Sequence, residues 1–421
     1  MSEADETGQR ASETFVCVFN RDRDSYQVPL ALHEAGMLEA LVTDYYAPDK
    51  ASSRLPGFLR RKQHPNLPRK RAVADRLAFA VQYAALALRF PMGPVWRFVG
   101  RRLGERAAKL AQAREAHLYC YHHYLPAQVD ERAALVTFVF HPLPQRYLPA
   151  LREDAEAYPE ARRSFEEEQS REPAFHPPIP WDRMDAIVCA SQVTADTLEA
   201  EGVDPEKLAV IPYGTPNTER VQQVERREGG CRFLFVGQGV QRKGLHHLIR
   251  AWQSAPRGDA ELTIVSYACD PDIAAMITDP SIRLLGYQER EALAELFAQS
   301  DVFAMPSMVE GFGLVYLEAL AHGCHVLGTR QTGLPDLDLN EASATPVEAG
   351  DVDALGVALD ALIERANGEG FDRAAIAEQA NRWTEADFRA AIADHALRVL
   401  SAKRGQGAYP TAYRAGPGRR G

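Results

Sequence analysis

Strand-like apolar runs alternate with helical patterns along this chain, and they do so in two successive sets. Such alternation is built as parallel sheets covered by helices, because each parallel strand must be reached by a crossover that packs on the sheet. The first set reads as Phe15–Phe19, Leu41–Thr43, His117–Tyr121, Leu135–Phe140, Ala186–Ala190 and Leu208–Ile211. The second reads as Cys231–Val236, Glu261–Ser266, Ile282–Leu285, Asp301–Met305 and His325–Thr329. A chain of 421 residues exceeds one ordinary core and suits two domains of roughly 150 to 200 residues. Between the two sets, Tyr213–Gly230 is polar and carries Gly214, Pro216, Gly229 and Gly230, which marks a linker. The expectation is an α/β chain with one domain over 14–212, a linker over 213–230 and a second domain over 231–383. The polar ends, 1–13 and the Gly-, Pro- and Arg-rich 402–421, read as disordered.

Charge narrows the partners. A net charge of -10 excludes a general affinity for nucleic acid, which needs a broad excess of Lys and Arg. Cys17, Cys120, Cys189, Cys231, Cys269 and Cys324 are dispersed without a CxxC pair, a spacing that fits neither a zinc site nor a disulfide framework. With an acidic N-terminus that lacks a basic region followed by an apolar core, this points to the cytoplasm. One segment runs against the overall charge: 54–76 holds Arg54, Arg60, Arg61, Lys62, Arg69, Lys70, Arg71 and Arg76 against the single acid Asp75, then enters the apolar Leu77–Leu88. That apolar stretch is shorter than the about 20 residues of a bilayer-spanning helix. Its ordinary reading is a solvated charged loop followed by a buried helix; the alternative is a peripheral contact of 54–90 with the inner face of an anionic membrane.

Chemistry concentrates in Met305–Gly323, MPSMVEGFGLVYLEALAHG. It starts at the carboxyl end of a strand, where ligands bind in open α/β sheets. Gly311 and Gly313 lack the Cβ that would keep a ligand from the backbone, with Phe312 between them and Leu314 opening a helix whose free N–H groups favour an anion. Glu310 and Glu318, with seven residues between them, suit sugar and ribose hydroxyls rather than phosphate. A second strand-to-helix loop, Gly237-Gln238-Gly239-Val240-Gln241-Arg242-Lys243-Gly244, matches neither the dinucleotide fingerprint nor the P-loop. It presents Arg242 and Lys243, a guanidinium and an ammonium suited to a diphosphate. His322, Cys324 and His325 are read as structural rather than as metal ligands, and His122 and His123 either line a cleft or are polar loop residues.

On these motifs the C-terminal half, about Asp185 to Asp336, resembles the donor domain of retaining glycosyltransferases of family 4 (glycosyl transferases group 1), which adopt the GT-B fold of two Rossmann-like domains facing across a cleft. Ala190-Ser191 and Ile211-Pro212-Tyr213-Gly214 belong to the likeness. The resemblance implies that Glu310 contacts the donor sugar and Glu318 the ribose. It gives Gly311 to Gly313 the sugar and diphosphate through backbone N–H groups, and Arg242 and Lys243 the diphosphate. It makes His141, at the end of Leu135–Phe140, the cleft histidine that reaches the donor sugar, although Pro142 replaces the usual acidic neighbour. Asp336 stands where the family usually has Glu, and the family's glycine-rich loop after the first strand is here Asn20–Tyr26, without glycine.

The resulting expectation is a glycosyltransferase with an N-terminal acceptor domain, a C-terminal donor domain and a last helix near 384–401 crossing back to the first domain. Its donor is a nucleoside-diphosphate sugar, its acceptor a glycan, a lipid-linked sugar or a small molecule. No metal and no other cofactor is expected, because oriented cations stabilise the leaving group. A sugar-nucleotide epimerase, a disaccharide phosphorylase and a non-catalytic nucleotide-sugar-binding protein are the alternatives, since one fold hosts several functions.

Overall fold

A computed structural model describes residues 13–20, 24–48, 59, 62–175, 179–215, 229–405 and 413–414. The acidic N-terminus, most of the linker, much of the basic segment before Lys62 and most of the C-terminal tail lie outside these residues.

Two parallel sheets organise the chain. The first contains β1 (Phe15–Val18), β2 (Leu38–Thr43), β3 (Ala72–Ala74), β4 (His117–Tyr121), β5 (Leu135–Val139), β6 (Ala186–Cys189) and β7 (Leu208–Val210), in the order β3-β2-β1-β4-β5-β6-β7, with 413–414 pairing on the far side of β7. The second contains β8 (Arg232–Val236), β9 (Glu261–Val265), β10 (Ile282–Leu285), β11 (Val302–Ala304), β12 (His325–Thr329) and β13 (Ala344–Val347), in the order β10-β9-β8-β11-β12-β13. Central strands such as β1 (FVCV) and β5 (LVTFV) are buried throughout, as expected of parallel strands covered on both faces by helices. In each sheet the strand order reverses beside its first strand, next to β4 in one and β11 in the other. That reversal opens a crevice at the carboxyl ends of the strands.

Three strands escape the sequence pattern: Ala72–Ala74, Ala344–Val347 and the short pair 413–414 within the tail expected to be disordered. Ala72–Ala74 follows a 3-10 turn, Arg69–Arg71, inside the basic run. The run is therefore not simply solvated: Lys62 is buried and ion-paired to Asp44 at 2.7 Å, and Arg71 donates to the Glu39 carbonyl at 3.2 Å. The apolar stretch behind it forms the helix Arg76–Ala87, capped by the Asp75 carboxylate, which accepts from Leu77 N and Ala78 N. Arg102 and Arg106 pair with the same carboxylate at 2.9 and 3.0 Å, and these bonds outweigh desolvation to hold its pKa down at about 2. Contrary to the expectation of a buried helix, one side is exposed: Leu77 and Leu86 are each 48% accessible, and Leu88 and Phe90 just beyond are 80% and 56%. Among the described residues no helix is long and apolar enough to cross a membrane.

The chain passes between the sheets twice. Thr215 N donates to Trp383 O at 2.8 Å and Glu385 N to Thr215 O at 3.0 Å, so the two passages are bonded to each other. The helix Glu385–Lys403, capped by Thr384, then lies on the first sheet's layer. Phe388 meets Phe138 and Tyr213, Arg389 pairs with Glu34 at 2.7 Å, and Lys403 pairs with Asp185 at 2.9 Å.

Candidate functional site

The loops that leave β8 and β11 sit on either side of the strand reversal in the second sheet. The first, 237–244, turns through the 3-10 segment Gln241–Lys243 and enters the helix Leu245–Gln253. The second, 305–313, enters the helix Leu314–Ala321, with Gly313 as its N-cap at φ 90° and no side chain capping the first turn. This helix starts where the sequence changes from Gly-Phe-Gly to Leu-Val-Tyr-Leu, burying Tyr316, Leu317 and Leu320. Its N-terminal dipole end thus lies at the crevice.

Arg242, Lys243, Glu310 and His141 come together here. The Glu310 carboxylate accepts from Lys243 Nζ and from Arg242 Nη1 at 3.2 Å. Arg242 Nη1 lies 3.4 Å from His141 Nε2, at the end of β5 in the first sheet, so the group closes across the two sheets. His141 Nδ1 lies 3.1 Å from the Pro142 carbonyl, which can accept its N–H. Burial alone would push the Glu310 pKa up, but Lys243, Arg242 and His141 outweigh it and hold the carboxyl well below the usual range. Burial likewise works against the Arg242 charge, and Glu310 and Glu168 overcome it and raise its pKa.

Glu168 was not visible in the sequence as a site residue. It lies on the helix Arg162–Phe175, 3.6 Å from Arg242 Nε, and accepts from the Tyr147 hydroxyl at 3.3 Å. Tyr147 in turn packs edge-on against the His141 ring. Nothing in the charged pattern RRSFEEEQSRE distinguishes one of these acids as inward-facing, which is why Glu168 escaped notice.

The glycines divide differently from the expectation. At Gly311 a Cβ would lie 1.7 Å from the Phe140 carbonyl oxygen and 2.9 Å from His141 Cα, so the missing side chain admits the protein's own β5 terminus. Its N–H is directed to Glu310 Oε1 at 3.2 Å. At Gly239 the space is taken by Cys269, and its N–H faces Ser266 Oγ at 2.9 Å. Gly237 retains room: the nearest atoms to a Cβ would be 3.7 Å away. The Phe312 ring turns inward against Tyr213, leaving only its backbone for the crevice, and Leu314 is half-buried at the helix start. Glu318 is exposed, although the protein atoms around its carboxyl desolvate it enough to raise its pKa. No hydrogen bond or ion pair from a described residue reaches that carboxylate.

On the first sheet, His122 and His123 stack on each other at 3.8 Å and on Phe140, beside His141. His122 is buried. Around β1 and β2 a buried polar set lines the same edge: Lys62 Nζ reaches Asp44 and the Asn20 carbonyl, Asn20 Nδ2 donates to Gln82, and the Tyr124 hydroxyl donates to Asn20. These residues stand where the sequence shows no glycine loop. Asp336 is buried and accepts from Gln192 N at 2.9 Å, tying the loop after β12 to the first sheet's layer. Cys324 and His325 have other duties, with Sγ donating to Phe297 O and the His325 ring bonded to Ala342 O and Thr345 Oγ1.

With this geometry in place, comparison with known proteins is informative. Residues 230–365 match the family described as Glycosyl transferases group 1. This segment contains both loops and both glutamates. The chain is similar to a GDP-mannose-dependent monoacylated alpha-(1-6)-phosphatidylinositol monomannoside mannosyltransferase of Corynebacterium glutamicum, at 34% identity over 35% of this chain and 41% of that protein. It is also similar to a D-inositol 3-phosphate glycosyltransferase of Corynebacterium kroppenstedtii, at 28% identity over 56% of this chain and 55% of that one. The chain thus spans about half, or less, of the curated relatives it matches. In fold, it is similar to a sucrose-phosphate synthase from Thermosynechococcus elongatus, with a TM-score of 0.62 over 93% of this chain and 100% of that chain at 16% identity. The fold is GT-B, two Rossmann-like domains with parallel sheets.

Proposed function

We propose that this chain is a glycosyltransferase that moves a sugar from a nucleoside diphosphate to an acceptor hydroxyl, with retention at the anomeric carbon. The observation that carries this reading is the Arg242–Lys243–Glu310 group at the strand reversal of the second sheet, closed by His141 from the first. When the glycosidic bond to the diphosphate breaks, negative charge builds on the leaving group. Arg242, Lys243 and the N-terminus of Leu314–Ala321 are oriented to receive it before the reaction starts, so little reorganisation is needed. Glu310 is held by two cations, which weakens it as a covalent nucleophile and suits it to accept hydrogen bonds from the sugar hydroxyls. The acceptor hydroxyl then attacks from the face the diphosphate leaves, and its proton passes to the departing diphosphate oxygen as the new glycosidic bond forms. His141 offers its Nε2 at the same point, and Glu318, exposed on the helix, takes the ribose. This transfer uses side chains and backbone dipoles and routes no step through a metal.

Incubation with a panel of nucleotide sugars tests the proposal, with GDP-mannose first because it appears in the name of the Corynebacterium glutamicum relative. Release of nucleoside diphosphate with a glycosylated product supports transfer. An isomerised donor, or binding without turnover, replaces the proposal with an epimerase or a binding module.

The two glutamates have separable roles. Glu318→Gln removes a contact to a ribose that does not change during reaction, so its loss appears mainly in donor KM and nucleotide affinity. Glu310→Gln lowers kcat, and it leaves nucleoside diphosphate affinity unchanged or tighter because the carboxylate no longer competes for Arg242 and Lys243. Calorimetry with the sugar-free nucleotide beside steady-state kinetics checks both halves, and a larger affinity loss in Glu310→Gln than in Glu318→Gln reverses the assignment.

The exposed Leu77, Leu86, Leu88 and Phe90, behind the basic residues of 54–76, support a peripheral contact of 54–90 with anionic membrane carrying a lipid-linked acceptor. Each Lys or Arg near such a surface contributes about 1 kcal/mol, screened by salt. Co-sedimentation with anionic vesicles should exceed that with neutral ones and fall as salt rises; equal recovery rules the contact out.

A further inference from the structure

Away from the crevice, a buried cluster joins the layers of the two sheets. Asp154 lies on the helix Pro144–Ala157, between β5 and β6, while His246 and His247 lie on Leu245–Gln253, directly after β8 and its loop. Asp154 Oδ2 is 3.0 Å from His246 Nε2 and Asp154 Oδ1 is 2.7 Å from His247 Nε2. One ligand atom from each of the three side chains fits within 4.8 Å of the others. The aspartate is 7% accessible, and the histidines 0% and 1%.

Among the described residues the partners of the Asp154 carboxylate are His246, His247 and Gln241, whose Nε2 donates to Oδ2 at 2.7 Å; no lysine or arginine is among them. The two imidazole centroids are only 3.8 Å apart. A buried carboxylate is ordinarily paired with a cation or bound to a metal. A second observation concerns hydrogen bonds. The Nδ1 atoms of both histidines and Gln241 Oε1 are buried and make no hydrogen bond.

We propose that Asp154, His246 and His247 bind a divalent transition metal of the zinc class, a structural site that clasps the two sheet layers together. Two imidazole nitrogens and one carboxylate oxygen suit zinc and its neighbours rather than magnesium or calcium, which prefer all-oxygen ligands. Ligand atoms about 2.0 to 2.1 Å from a tetrahedral ion stand about 3.3 Å apart. The observed 2.7 and 3.0 Å, each to a different oxygen of the carboxylate, are about 0.6 and 0.3 Å short of this spacing. Gln241 Oε1 or a water completes the fourth position, as befits a site without chemistry of its own. Because Gln241 and His246 flank Arg242 and Lys243 in sequence, the metal also steadies the loop that presents these two cations.

The test uses the full chain, prepared without a histidine tag, stripped with chelator and titrated with zinc chloride in a calorimeter. Wild-type protein should take up one equivalent with sub-micromolar affinity, keep it through gel filtration and gain thermal stability that magnesium does not confer. His246→Ala and Asp154→Asn should each weaken binding at least 100-fold. Cobalt in place of zinc should give the visible bands of a four-coordinate N/O site, which distinguishes this cluster from adventitious thiolate binding. Should a variant fail to fold, the wild-type stoichiometry and cobalt spectrum still decide. Folded wild-type protein that retains no zinc, or a cobalt spectrum with thiolate character, overturns the proposal.

Discussion

Lys243→Ala and Arg242→Ala each lose about 100-fold or more in turnover with a nucleotide-sugar donor, the typical cost of removing one oriented donor to a developing oxyanion. Both side chains are held at the crevice by the Glu310 carboxylate, so their geometry exists before the donor arrives. The two losses should differ in kind. Lys243 bonds to Glu310, and its removal leaves Arg242 to hold that carboxylate. Arg242 also faces Glu168 and His141, so its removal releases two carboxylates from a shared cation and loosens the link to the first sheet. Arg242→Ala is therefore expected to be the more damaging in kcat, as measured by steady-state release of nucleoside diphosphate. Near-wild-type turnover in both variants removes the diphosphate assignment.

Gly311→Ala should lower kcat on the order of 100-fold while leaving binding of the sugar-free nucleotide nearly intact. The new Cβ would lie 1.7 Å from the Phe140 carbonyl oxygen and 2.7 Å from its carbon, both backbone atoms that cannot swing aside as a side chain would. The loop and the end of β5 must separate by more than 1 Å, a displacement that commonly costs about 100-fold in rate. It moves Glu310 away from His141, whereas the residues assigned to the nucleotide stay within the second sheet's domain. Kinetics beside calorimetry separate the two effects. Unchanged kcat would mean that contact between Gly311 and β5 is not needed for turnover.

The parts of the fold legible in the sequence are those where burial on both faces wrote a continuous apolar run. Leu135–Val139 and His325–Thr329 are of this kind. Ala72–Ala74 was not legible, because a short strand at the edge of a sheet, next to Arg69–Arg71, carries no such run. Ala344–Val347 was missed for a similar reason, since ATPV at the opposite sheet's edge is only partly buried. In the site, Arg242, Lys243 and Glu310 could be placed because each sits in a loop flanked by glycines at a strand exit. Glu168 and the polar set of Asn20, Asp44, Lys62 and Gln82 could not, because their positions depend on helices and crossovers that bring distant segments together. Asp154 and His246 are 92 positions apart, beyond any local motif. The glycine pattern was informative about close approach and silent about what approaches: at Gly311 it is the chain itself.

The bonded pair of passages at Thr215 and Trp383–Glu385 dictates how the crevice can open. Because Thr215, where one connection begins, is bonded to Trp383 and Glu385 on the other, sliding one domain along the other would tear these hydrogen bonds, whereas swinging about that point would leave them whole. The molecule is therefore built to open like a jaw on a single pivot. The contacts that must part in such a swing are of two kinds: polar ones that water can replace, Arg250 with Glu160, Ser164 with Asp270 and Arg242 with Glu168, and an apolar seam of Val309 and Met308 against Tyr147, Leu151 and Phe165. Such a jaw yields readily at its polar latches, while the apolar seam and the Asp154–His246–His247 cluster resist the swing and favour the closed arrangement.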